Sequence, residues 1–146
     1  MSLRWLLFLF GCGVACAAPA NQQTVIIEPA KTSIYIGSVT MTMPPFQRIE
    51  ARYESSYVAT IFPYFFYNEH GRLAIDFSDA QLAQLGRGEH VEFKGAGHNA
   101  AGEERRIEGT ATPTDTERGK IKVRVFVSKK IQLIFNTTYR FVPAAK

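Results

Sequence analysis

Few side chains in this sequence have the types and spacings that do chemistry. His70, His90 and His98 read as a turn, a strand-start and a loop residue, with none of the i, i+2 or i, i+4 spacing that sets two ligands on one face. Asp76 and Asp79 are near neighbours, but a glycosidase needs two carboxyls facing each other across a cleft. Asp76 alternates with Leu73, Ile75 and Phe77 and so points away from a core, while Asp79 suits the positive end of a helix dipole. No Gly-x-Ser-x-Gly elbow, His-Glu-x-x-His pair, Walker loop or Gly-x-Gly-x-x-Gly turn occurs. The pattern names no catalytic residue, no metal ligand and no cofactor, and points to a binding protein rather than an enzyme.

The two thiols, Cys12 and Cys16, belong to a different kind of segment. Arg4, the apolar run Trp5–Phe10 and the small residues Gly11–Cys16 are ordered as in a secretory signal peptide, and they are too few for the ~20 apolar residues that span a bilayer. Cleavage is expected after Ala20, with Ala17 second, just before the polar Asn21-Gln22-Gln23. Leu9-Phe10-Gly11-Cys12 loosely resembles a bacterial lipobox, in which Cys12 would be lipidated; the bulk of Phe10 and the short apolar run argue against it. Residues 1–20 are thus expected to leave and take both cysteines with them. The remaining 21–146 must then be held by its core alone, as one domain without disulfides.

That domain reads as all-β. Runs rich in β-branched and aromatic residues alternate with turn residues, and the pattern predicts strands at 24–27, 32–43, 47–55, 57–67, 72–77, 90–96, 104–112, 120–128 and 131–142. Breaks are expected at Pro44-Pro45, Asn68–Gly71, Gly97–Gly102 and Thr112–Asp115. The last hairpin is the clearest element. Ile121, Val123, Val125 and Val127 alternate with Lys120, Lys122 and Arg124, and beyond Lys129-Lys130 the residues Ile131, Leu133, Phe135, Tyr139 and Phe141 share one face. One helix is expected at 79–85, with Ser78 and Gln81 as a capping box, Leu82 and Leu85 on its buried face and Gly86 at its end. Short connections favour antiparallel neighbours. The fold expected is therefore a single antiparallel β-barrel or barrel-like sandwich of eight or nine strands, its short helix plugging an end or covering an edge.

Two features are candidates for binding. In the run Phe62-Pro63-Tyr64-Phe65-Phe66-Tyr67 strict alternation fails. Core packing explains this first, because aromatics dominate cores; the functional reading makes Phe62, Tyr64, Phe65, Phe66 and Tyr67 a site for an apolar ligand or a protein partner. The second feature is charge. From Asn21 to Glu117 eight basic residues stand against thirteen acidic ones, a net −5, and from Arg118 onward eight basic residues stand alone, a net +8. Lys120, Lys122, Arg124, Lys129 and Lys130 would form one basic surface for an anionic partner, unless they only protect a strand edge or pair with acids such as Glu92 and Glu104.

An exported domain meets lipid head groups, acidic polysaccharide and protein rather than nucleic acid. The expected function is thus a non-catalytic binding protein of the bacterial periplasm or cell envelope, carrying a lipid or other apolar ligand or docking on an anionic surface. An assembly module that binds another envelope protein is the alternative, and a small hydrolase the next. Asn136-Thr137-Thr138 matches the glycosylation pattern, but its place inside a strand marks it as a chance match.

Overall fold

The computed structural model describes residues 23–142. The leader expected at residues 1–20, its expected cleavage positions and Cys12 lie outside the described residues. Ten strands and one helix follow in order: β1 (Thr24–Ile27), β2 (Ala30–Ile34), β3 (Gly37–Thr42), β4 (Phe46–Ile49), β5 (Arg52–Phe62), β6 (Glu69–Asp76), α1 (Asp79–Gly86), β7 (Val91–Asn99), β8 (Glu104–Pro113), β9 (Arg118–Phe126) and β10 (Gln132–Val142).

Every strand pairing is antiparallel, and the ring β5-β4-β1-β10-β9-β8-β7-β6 closes because β6 also pairs with β5. The result is an eight-stranded barrel with the β2–β3 hairpin added to its wall, β3 paired with β5 and β2 lying against β10, so that Ala30, Val39 and Met41 also face the lumen. Closure gives each stave a paired neighbour on both sides, although β10 meets β1 only over Tyr139–Val142. Alternation then sorts the side chains: Tyr53, Ser55, Tyr57 and Ala59 of β5 point inward, while Arg52, Ser56 and Val58 point out. On β9, Ile121 is buried between exposed Lys120 and Lys122. The outer wall is charged and the lumen apolar, the inverse of a barrel that faces lipid.

The long strands expected at 32–43, 47–55 and 57–67 are each corrected. Residues 32–43 form a hairpin, with Tyr35-Ile36 as its turn. Residues 47–55 also fold back, at Glu50-Ala51, where Glu50 takes a left-handed backbone at φ 57°. Glycine or asparagine commonly marks such a position, and neither is present here. The strand expected at 57–67 ends at Phe62, and residues 65–67 form a single 3-10 turn. The break expected at Asn68–Gly71 moves forward accordingly: Glu69, His70 and Gly71 are strand, and Asn68 accepts the Ile61 amide through Oδ1 at 2.8 Å.

Pro44-Pro45 does break the chain, and it shows how β3 and β4 share one neighbour. β3 pairs with residues 58–62 of β5 and β4 with residues 52–54, so the two follow one another along the same edge. In the gap the buried Ser55 hydroxyl donates to the Pro44 carbonyl at 2.8 Å, supplying a bond the interrupted ladder cannot.

One end of the barrel is closed by α1. The capping box forms as its sequence implies: Ser78 Oγ accepts from the Gln81 amide and Gln81 Oε1 from the Ser78 amide. Leu82 and Leu85 are buried with Phe77, Val91 and Phe93. Gly86 does not take the left-handed position expected of it; Gly88 does, at φ 83°, after Arg87 has ended the helix. The floor is aromatic, with Tyr53 against Phe77 and Phe77 against Phe93, and Phe46 is only 1% exposed. A ring buried that fully contributes about 2–3 kcal/mol.

Candidate functional site: the barrel lumen and its open end

The end opposite α1 carries four connections: the Tyr35-Ile36 turn, the 63–68 loop, the 100–103 turn and the 127–131 turn. Below it the lumen holds a cavity of about 200 Å³. Its wall is apolar along most of its depth, from Leu85, Phe93 and Ala111 near the helix to Ile61, Val127 and Leu133 near the mouth. It is larger than the ~150 Å³ at which an engineered apolar cavity stays dry and takes benzene. Small side chains leave the space, for Ala59, Gly97 and Ala111 are among the residues that face it.

Near the mouth the apolar wall carries one charged cluster. The Tyr57 hydroxyl donates to Glu69 Oε1, and Arg105 Nη2 donates to Glu69 Oε2 at 3.1 Å. The same guanidinium reaches Glu103 Oε2 at 2.8 Å and the Val127 carbonyl at 3.2 Å, so it ties β6, β8 and the 127–131 turn together. Burial pulls Glu69 toward its neutral acid, but the hydrogen bonds from Arg105 and Tyr57 and the charge of Arg105 outweigh it. The carboxyl therefore titrates below the ordinary Glu value. Burial, then the bond to Glu69, pushes the Tyr57 phenol well above its ordinary range. At neutral pH the cluster is an ion pair with a neutral phenol.

Sequence reasoning passed over this cluster. Tyr57, Glu69 and Arg105 lie on three strands and share no local motif. The available signal was alternation, since Arg105 takes the inward parity of Ile107 and Ala111 on β8.

The aromatic candidates lie elsewhere than in a core. Phe62, Phe65, Phe66 and Tyr67 are exposed and Tyr64 is half-buried, so core packing does not account for the run. None of the five lines the cavity. They sit at its mouth and pack on each other, with ring centres 5.9 Å apart for Phe62–Phe65 and Tyr64–Phe66 and 4.5 Å for Phe66–Tyr67.

Lys120, Lys122 and Arg124 share the exposed outer face of β9, and Lys129 and Lys130 lie in the turn at the mouth. Across the sheet Lys120 faces Thr112 and Thr138, Lys122 faces Thr110 and Asn136, and Arg124 faces Glu108 and Ile134. Pairing with Glu92 or Glu104 does not occur; Glu108 instead lies 3.9 Å from Arg106.

His70, His90 and His98 are all exposed, and among the described residues no three His, Cys, Asp or Glu side chains come together as metal ligands. Nor, among the described residues, is any helix long and apolar enough to cross a membrane. Compared with known protein families, with curated proteins and with solved structures, the chain matches none.

Proposed function

We propose that the protein is exported to the periplasm or cell envelope, or secreted, and acts there as a non-catalytic carrier. Its barrel holds one small apolar molecule or the apolar part of an amphipathic one, with the polar end at Tyr57, Glu69 and Arg105. The observation that carries this reading is the lumen itself: a cavity of about 200 Å³ with an apolar wall and one polar cluster, placed near the mouth. Eight strands enclose a space that side chains can fill or that one small ligand can share, and the inward Ala and Gly residues favour the second outcome. The leader supports export.

Native mass spectrometry of protein purified from its own cells tests the proposal. A retained small-molecule mass is expected, together with uptake of the apolar dye N-phenyl-1-naphthylamine. Both should be lost in Val125→Phe, which fills the lumen while keeping the circular dichroism of the barrel. Ligand-free protein that takes up no dye would overturn the carrier. A stoichiometric protein partner in the same spectra would instead support an assembly module.

A further inference from the structure

Large apolar side chains left in water gather at one end of this barrel. Tyr35 and Ile36 form the turn of the β2–β3 hairpin, and Phe62, Phe65, Phe66 and Tyr67 form the loop beside it. The two are neighbours because Ser38 pairs with Phe62, and a Cβ on Gly37 would overlap the Phe62 carbonyl. Tyr35 is fully exposed and Phe66 is 77% exposed. The rings contact one another, which holds them out from the lumen rather than folded over it. A contiguous apolar patch of this kind marks an interaction surface.

The third connection on this side continues the arc. β2 lies against β10, so the hairpin turn stands between the aromatic loop and the 127–131 turn. That turn carries Lys129, Lys130 and an exposed Ile131, and neither lysine forms an ion pair among the described residues. The fourth connection differs: Glu103 there is held by Arg105, and Glu104 stands opposite His98 on the outer wall. Two of the four connections thus present aromatic and aliphatic side chains and a third adds Lys129, Lys130 and Ile131, while Glu103 lies in the fourth and Glu69, which follows the aromatic loop, is held by Arg105.

We propose that this arc docks on an anionic lipid bilayer, with Tyr35, Phe65, Phe66 and Tyr67 entering the head-group region and Lys129 and Lys130 meeting lipid phosphates. Rings with an apolar body and a polar tip prefer that region, and each lysine near an anionic surface adds to the attraction. Lys120, Lys122 and Arg124 run up the same stave toward the mouth and extend the positive field that steers approach. Projecting loops with lysines at their flank suit a soft charged surface better than the flat self-complementary face a second copy would require. The docking stands apart from carriage, because it uses the rim and not the lumen.

The test uses tryptophan as a positional reporter, since the only tryptophan of the chain is Trp5 in the leader. In a Trp5→Phe background, protein purified after export carries either Phe66→Trp at the mouth or Ile49→Trp at the helix end. It is mixed with vesicles of phosphatidylcholine alone or of phosphatidylcholine with phosphatidylglycerol. A blue shift of the Phe66→Trp emission on the anionic vesicles only, with none for Ile49→Trp, is the expected result. Lys129→Glu with Lys130→Glu should lower partitioning about 30-fold, and Phe65→Ser with Phe66→Ser at least about tenfold. Val125→Phe should leave docking intact, which separates this idea from the carrier. Equal binding to both vesicle types, or an unshifted Phe66→Trp, overturns it. So does concentration-dependent self-association that shifts the Phe66→Trp emission without lipid, for it would make the rim a contact between copies.

Discussion

Arg48 on β4 places Nη2 2.7 Å from Asp79 Oδ1 and Nη1 2.8 Å from the carbonyl oxygen of Phe77, so one guanidinium grips the start of the helix that closes the barrel. Its side chain is 2% exposed where that of Asp79 is 54%, and its guanidinium carbon lies 5.0 Å from the centre of the Tyr53 ring. A cation this enclosed persists because a carboxylate, a carbonyl and an aromatic face replace its water. Replacing Arg48 with Met should cost about 2–3 kcal/mol in urea unfolding, the worth of hydrogen bonds to a charged group. Amides of α1 should exchange with solvent earlier than those of β5–β10; equal protection in the two proteins would show that the helix does not depend on this contact.

Acid should weaken the contacts at the mouth. The Glu69 carboxyl titrates below its ordinary value of 4.5 because Arg105 and Tyr57 hold it ionised against the cost of burial. A folded-state value below the unfolded one gives stability that is complete above 4.5 and is lost as pH falls through the lower folded value. Urea midpoints measured from about pH 7 down to about pH 3 should fall less steeply for Glu69→Gln than for the parent at the acid end. Parallel curves would remove Glu69 from the account.

Alkali should act through the phenols. Burial pushes Tyr53 and Tyr139 up to about 12, and burial with the Glu69 contact pushes Tyr57 higher. These groups are neutral in the fold at pH values where the unfolded chain ionises. Their contribution is whole below 10.0 and disappears as pH rises through about 12. Phenolate absorbance should show three tyrosines appearing late and together with loss of near-ultraviolet dichroism, and Tyr139→Phe should reduce the late step to two.

A glycine makes room for the floor. Phe93 pairs with Gly109 across β7 and β8, and a Cβ on Gly109 would overlap the Phe93 ring. Gly109→Ala should destabilise by about 1–3 kcal/mol. Adding Phe93→Leu should recover part of that loss, since the two residues share one contact and their effects cannot be additive. Additive losses would show that the overlap is relieved elsewhere.

The legible parts of this fold were those governed by local rules. Lys120 to Val125 alternates strictly because one face of β9 is wet and the other dry, and the Ser78–Gln81 box needs only four consecutive residues. The two tight turns at Tyr35-Ile36 and Glu50-Ala51 escaped because hydrophobic or charged residues occupy them. Gly37 was the one local hint at the first, and nothing marked the second.

By itself, the order of residues determined the antiparallel β class, the single capped helix and the division into an acidic body and a basic terminal hairpin, because each depends on period, composition or neighbours a few positions apart. Tertiary structure alone decided that Tyr57, Glu69 and Arg105 meet, since they lie on three separate strands whose register is set only when the barrel closes. It also decided that the aromatic run faces water at the mouth. Side chains from the remaining staves already fill the floor of a closed eight-stranded lumen, and the loop that carries Phe65 and Phe66 begins where that wall ends.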